Sequence, residues 1–92
     1  MGRVKNLDEI KATIRERTGR RNIFRHCKRD DVESVLANLT SKDPELWAKE
    51  WSRVAKPYEN EGAKLEQAGK FNEAREAYVQ AYAYYATGRY PV

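Results

Sequence analysis

The chain has 92 residues, 40% of them apolar, 35% charged and 11% aromatic, with a formal net charge of +4. That length holds one small domain at most. No stretch approaches the roughly 20 apolar residues of a membrane-spanning helix, and the N-terminus does not read as a secretory signal, so a cytoplasmic setting without membrane attachment is expected.

Cys27 is the only cysteine and His26 the only histidine. They cannot form a disulfide within the chain or supply a structural zinc site of three or four ligands, and neither a metal nor a cofactor is expected. Only 16 residues are Leu, Ile, Val or Phe, so eleven alanines, six tyrosines and two tryptophans make up much of the apolar content. A domain this small is marginal alone. Help from a partner surface is expected.

Charge divides the chain. Met1 to Arg29 carries ten Lys/Arg against three acids, a balance of +7, and the remainder carries −3. The run Arg15, Arg17, Arg20, Arg21, Arg25, Lys28, Arg29 has the clustered cations that phosphate contact needs. Phe24 and His26 are its only interleaved stacking groups, and no RNA- or DNA-binding signature accompanies it. It reads as a solvated or partner-facing surface rather than a nucleic-acid site.

Periodicity is helical throughout, which predicts an all-α fold of about four helices. Asn6 with Glu9 forms an N-terminal capping signature, Leu7, Ile10 and Ile14 share a face, and Gly19 is placed to stop the helix, giving a first helix over about Leu7 to Thr18. Arg20 to Arg29 lacks periodicity, with Ile23 and Phe24 as an apolar anchor for a loop. Asp30 and Glu33 repeat the capping pattern ahead of Val32, Val35, Leu36 and Leu39, predicting a short second helix over about Asp31 to Leu39.

Asp43 suits an N-cap and Pro44 a first helical position. A long helix should begin there, its stripe of Trp47, Trp51, Val54, Ala55, Tyr58, Gly62 and Leu65 running through Pro57 as a kink rather than a break, and Gly69 ending it. A fourth helix starts near Lys70 to Asn72, carries Ala74, Ala77, Tyr78, Ala81 and Tyr85 inward, and ends at Thr87-Gly88. The chain thus reads as one helical unit in three stretches: a basic helix and loop over 1–29, a short helix over 30–43, and a kinked long helix with its hairpin over 44–92.

In that hairpin, small residues at Gly62, Ala74 and Ala81 alternate with large ones at Leu65, Phe71 and Tyr78 around Gly69. The pattern resembles one tetratricopeptide repeat over about Tyr58 to Pro91, which implies close antiparallel helices and, as an alternative function, a protein-interaction module. No second copy appears upstream, so a lone hairpin within another architecture is the preferred reading.

A wider resemblance rests on Arg17-Thr18-Gly19-Arg20-Arg21-Asn22-Ile23-Phe24, then Trp47-Ala48-Lys49-Glu50-Trp51, Tyr58-Glu59, Gly69, Ala74, Tyr78, Tyr84-Tyr85 and Gly88-Arg89-Tyr90-Pro91-Val92. Taken in order, these are similar to the N-terminal helical segment of α/β-hydrolases of the FrsA-like esterase and dihydroxypseudooxynicotine hydrolase kind. The resemblance implies a cap or scaffold that packs over a hydrolase core, with that core and its small-molecule substrate as partners. It brings no catalytic residue, because Ser34, Ser41 and Ser52 lie in no Gly-x-Ser-x-Gly motif.

His26 beside Cys27 makes a poor nucleophile pair, since neighbouring side chains point differently and no acid orients them. Asn38-Leu39-Thr40 fits a glycosylation sequon, which matters only on export. Tyr82, Tyr84 and Tyr85 cannot share one helix face. With Trp47 and Trp51 they are the candidates for an interface with the hydrolase core.

Overall fold

The computed structural model describes residues 6–20 and 24–90. Among these residues the chain forms four α-helices and no strand: α1 (Leu7–Arg17), α2 (Arg29–Asn38), α3 (Pro44–Gln67) and α4 (Phe71–Gly88). Ile23, expected to help anchor the first loop, and the Pro91-Val92 end lie outside the described residues, as does Arg21.

Local signals set most of the helix ends. Asn6 Oδ1 accepts the Glu9 amide at 2.8 Å, so one of the unpaired donors of the first turn is satisfied as the capping pattern predicts. Gly19 follows the end of α1 with φ +72°, a left-handed conformation in which a Cβ would be strained. Its amide then donates to the Phe24 carbonyl at 2.8 Å, which folds the loop back and places Phe24 in the core.

At the start of α3, Asp43 Oδ1 accepts the Glu45 amide at 3.0 Å and Pro44 occupies the first turn. The helix continues through Pro57 as one element, because apolar contacts on both sides of the proline hold the ladder that it interrupts. It ends in a Schellman arrangement. Gly69 has φ +78°, its amide donates to Glu66 O at 3.0 Å, and the Lys70 amide donates to Leu65 O at 2.9 Å.

The second helix departs from expectation. It begins at Arg29, two residues early, with Lys28 at the N-cap position and no side-chain cap. Both acids of the supposed capping pattern are unavailable or unused. Glu33 is forked by Arg15 of α1 at 3.0–3.3 Å and cannot reach back, while Asp30 stands exposed in the first turn. The Lys28 amide instead donates to the Tyr84 hydroxyl at 3.0 Å.

The core joins Ile10, Ile14, Phe24, Val32, Val35, Leu36 and Leu39 to Trp47, Trp51, Val54, Ala55 and Tyr84. Helix α2 covers the first half of α3 and reaches Tyr84 of α4 through Asp31, and α1 packs on α2. The hairpin tip around Gly69 extends beyond that cover.

There α3 and α4 pack on each other through small residues: Gly62, Ala74 and Ala81 are all buried. A Cβ added at Gly62 would meet the Tyr78 ring at 2.8 Å. Gly62→Ala should therefore destabilise by about 1 kcal/mol, the cost of displacing the ring outweighing the better helix propensity of alanine. In a Tyr78→Ala background the same substitution should stabilise, by about 0.5–1 kcal/mol. Urea unfolding of the four variants reads this change of sign, and equal effects in the two backgrounds would show that the seam is not tight.

Candidate functional site

The rotation of α4 about its own axis decides what it offers to solvent, and that rotation is fixed from inside. Tyr84 is fully buried, its ring stacked on Trp51 with centroids 5.9 Å apart. The Tyr84 hydroxyl donates to Asp31 Oδ2 at 2.5 Å while accepting the Lys28 amide. Tyr58 of α3 donates to the same carboxylate oxygen at 2.6 Å, and the Lys28 ammonium lies 5.2 Å from the centre of the Tyr58 ring. Burial, then the Asp31 hydrogen bond and charge, push the Tyr58 phenol up to about 12. The same causes raise Tyr84 further. Trp47 locks the far end of α4 by donating Nε1–H to Thr87 O at 2.9 Å.

With Ala74, Ala81, Tyr84 and Thr87 buried, the neighbouring stripe carries Phe71, Arg75, Tyr78, Tyr82 and Tyr85 at spacings of three or four residues, of which Phe71, Arg75 and Tyr82 are exposed while Tyr78 and Tyr85 are half-buried. Val79 borders it. Tyr82 is 71% exposed, Phe71 68% and Val79 55%. Two shallow depressions lie along this stripe, one of about 420 Å³ reaching from Phe71 to Tyr82 and one of about 200 Å³ beside Tyr85. Both are lined by Tyr78 and Tyr82, so they form one elongated groove. Its α3 border is acidic: Glu66 Oε1 accepts the Tyr78 hydroxyl at 3.4 Å, and Glu59 Oε1 accepts Tyr85 at 3.5 Å and Lys56 Nζ at 2.8 Å.

Of the five expected interface residues, the structure leaves only Tyr82 open. Trp47, Trp51 and Tyr84 are enclosed within this chain and Tyr85 is half-buried. Their enclosure has a physical cause. Core material from α1, α2 and the Phe24 loop fills the space against α3, where centroids of 6.2 Å for Phe24–Trp51 and 5.6 Å for Trp47–Trp51 mark a continuous aromatic cluster. Phe71, one of the large residues of the hairpin pattern, is exposed.

Sequence reasoning did not single out Val79, Glu59 or Glu66 as part of a face. For Val79 the spacing to Phe71 and Tyr82 on the same helix was the available signal; Glu59 and Glu66 lie on α3 and join the face only through the hairpin.

No catalytic constellation assembles among the described residues. Ser34 Oγ accepts Arg53 at 2.9 Å, Ser41 Oγ accepts the Asp43 amide at 3.3 Å, and Ser52 is exposed on α3. Cys27 is buried 4.0 Å from the Thr87 hydroxyl, and burial pushes its thiol up to about 11, away from the reactive thiolate. His26 is exposed, and its carbonyl accepts Gln80 Nε2 at 2.8 Å. Among the described residues no three His, Cys, Asp or Glu side chains gather as metal ligands, and no helix is long and apolar enough to cross a membrane.

Glu50, which no sequence pattern flagged, is a buried carboxylate at 5% exposure. Desolvation opposes its charge, but hydrogen bonds from Asn38 at 2.9 Å and Arg53 at 3.0 Å prevail and hold it below the usual carboxylate range. It is a structural tie between α2 and α3. Comparison with protein-family models, with curated proteins and with solved structures gave no match to this chain.

Proposed function

We propose that this chain is a helical cap or scaffold segment of a serine α/β-hydrolase, packed over the catalytic core through the outer face of α4. The nucleophile, base and oxyanion donors would come from residues outside this sequence. The observation that carries the reading is the exposure of Phe71, Val79 and Tyr82 along one side of a helix whose Ala74, Ala81, Tyr84 and Thr87 are buried. An exposed apolar patch of this kind marks an interaction surface. The ordered resemblance of the chain to the helical segment of FrsA-like esterases supports the choice of partner, and the substrate would be a small molecule held in that core.

The test has two arms. The chain alone should not turn over a short-chain p-nitrophenyl ester. Mixed with a hydrolase core of the FrsA-like kind lacking its own N-terminal helices, it should form a 1:1 complex that Tyr82→Arg abolishes. Turnover by the chain alone that a serine-directed inhibitor stops, or no complex with any such core, would overturn the reading.

A second reading is favoured by the Gly62–Tyr78 contact, which is the close seam a tetratricopeptide-like hairpin requires. On that reading the same face binds a peptide segment with no hydrolase involved.

A further inference from the structure

The groove on α4 has a shape and a charge pattern that narrow what can occupy it. Together the open parts of Phe71, Val79 and Tyr82 amount to roughly 300–400 Å², about half of what each partner buries in a standard stable complex. That is too little for two copies of the chain to hold each other firmly, and enough for one docked element. The groove is linear, following α4 from Phe71 to Tyr85, so it suits a rod with side chains at helical spacing better than a flat surface.

Its borders differ in sign. Glu59 and Glu66 stand seven residues apart on α3, about 10.5 Å along the axis. Glu59 shares its charge with Lys56, whereas Glu66 has no cationic partner among the described residues. On the other side Arg75 is exposed and unpaired among the described residues. A helix lying in the groove therefore meets carboxylates along one edge and a guanidinium on the other.

We infer that the occupant of this groove is an amphipathic helix of a partner protein, with an apolar ridge against Phe71, Tyr78 and Tyr82 and Lys or Arg at i and i+7 facing Glu59 and Glu66. This rests on reading the outer face of α4 as a docking surface. Apolar contact supplies the attachment, and the acidic border selects orientation and partner, since opposite charges across an interface act chiefly on specificity.

Two synthetic 18-residue helical peptides test this, each with a leucine ridge, one with lysines along the edge and one with glutamates. They are titrated into the 92-residue chain and followed by amide chemical shifts. The lysine peptide should bind at least fivefold more tightly than the glutamate peptide, with shifts concentrated over 71–85. Glu59→Lys with Glu66→Lys should reverse the preference, and Tyr82→Ala should weaken both peptides by about tenfold. Equal binding of the two peptides, binding mapped away from α4, no binding by either, or concentration-dependent dimerisation through Tyr82 would each overturn it.

The two readings fail separately. A hydrolase core that binds equally well after the double charge reversal removes the basic-helix inference and leaves the cap reading standing. Selective peptide binding with no hydrolase complex does the opposite.

Discussion

Trp51→Ala is expected to lower the thermal midpoint by at least about 15 °C, or to leave the chain unfolded at room temperature. Truncating a buried tryptophan costs about 3–5 kcal/mol, and a domain of this length has only about 5–14 kcal/mol in total. Each kcal/mol is worth about 4–8 °C at this size. The cost should fall at the high end because Trp51 is fully enclosed and touches the rings of Phe24, Trp47 and Tyr84 at once. No neighbour can collapse into the space without breaking another contact.

The phenylalanine variants give a sharper test, because the two tryptophans differ in one respect. Trp47 Nε1–H has a partner in Thr87 O, whereas Trp51 Nε1–H is buried with none among the described residues. Trp51→Phe loses ring volume but also removes an unmet donor, which itself costs about 1–3 kcal/mol. Trp47→Phe loses volume and a hydrogen bond. Trp47→Phe should therefore be the more destabilising by about 1–2 kcal/mol, although Trp51 is the more deeply buried. Thermal or urea unfolding monitored by far-UV circular dichroism decides this, and the reverse order would mean that Trp51 has a donor–acceptor contact in solution.

What was legible in the sequence was what local chemistry decides. Asn6, Asp43, Pro44, Gly19 and Gly69 act within four residues of themselves, and each does in the structure what its type and position predict. Asp30 and Glu33 read equally well as a cap and are not one, because Arg15, eighteen residues away, holds Glu33. Nothing within a window of one helix reports that competition.

The same limit explains Tyr84. On a helical wheel it stands at the margin of the Ala74–Ala81 stripe, and it becomes the most engaged residue of α4 only because α2 brings Asp31 to it. Once Tyr84 faces inward, the helix period sends Tyr82 and Phe71 outward, so the candidate surface depends on a contact spanning 53 residues of sequence.

Asp31→Ala should be the most disruptive polar substitution in the chain, costing about 3–5 kcal/mol. It removes a charged acceptor from two hydroxyls at once, at about 1.5–3 kcal/mol for each such hydrogen bond. Asp31→Asn keeps an acceptor without the charge and should cost about 1–2 kcal/mol, because neutral hydrogen bonds are roughly half as strong. Tyr84→Phe combined with Asp31→Ala should cost less than the sum of the two, the mark of a shared network.

The pH dependence has a definite sign. Tyr58 is raised from its ordinary 10 to about 12, so the fold favours the neutral phenol. The stabilisation is full below about pH 10 and is lost as pH climbs from there through about 12. Stability should accordingly fall steeply across that window, and Tyr58→Phe should flatten the fall. In Asp31→Asn, ultraviolet titration of the phenols should show Tyr58 ionising earlier, since burial remains but the carboxylate charge is gone. An alkaline profile unchanged by either substitution would show that Asp31 does not hold the two tyrosines. The rotation of α4, and with it the outward placement of Phe71 and Tyr82, would then have to be set by the Trp47–Thr87 and Trp51–Tyr84 contacts alone.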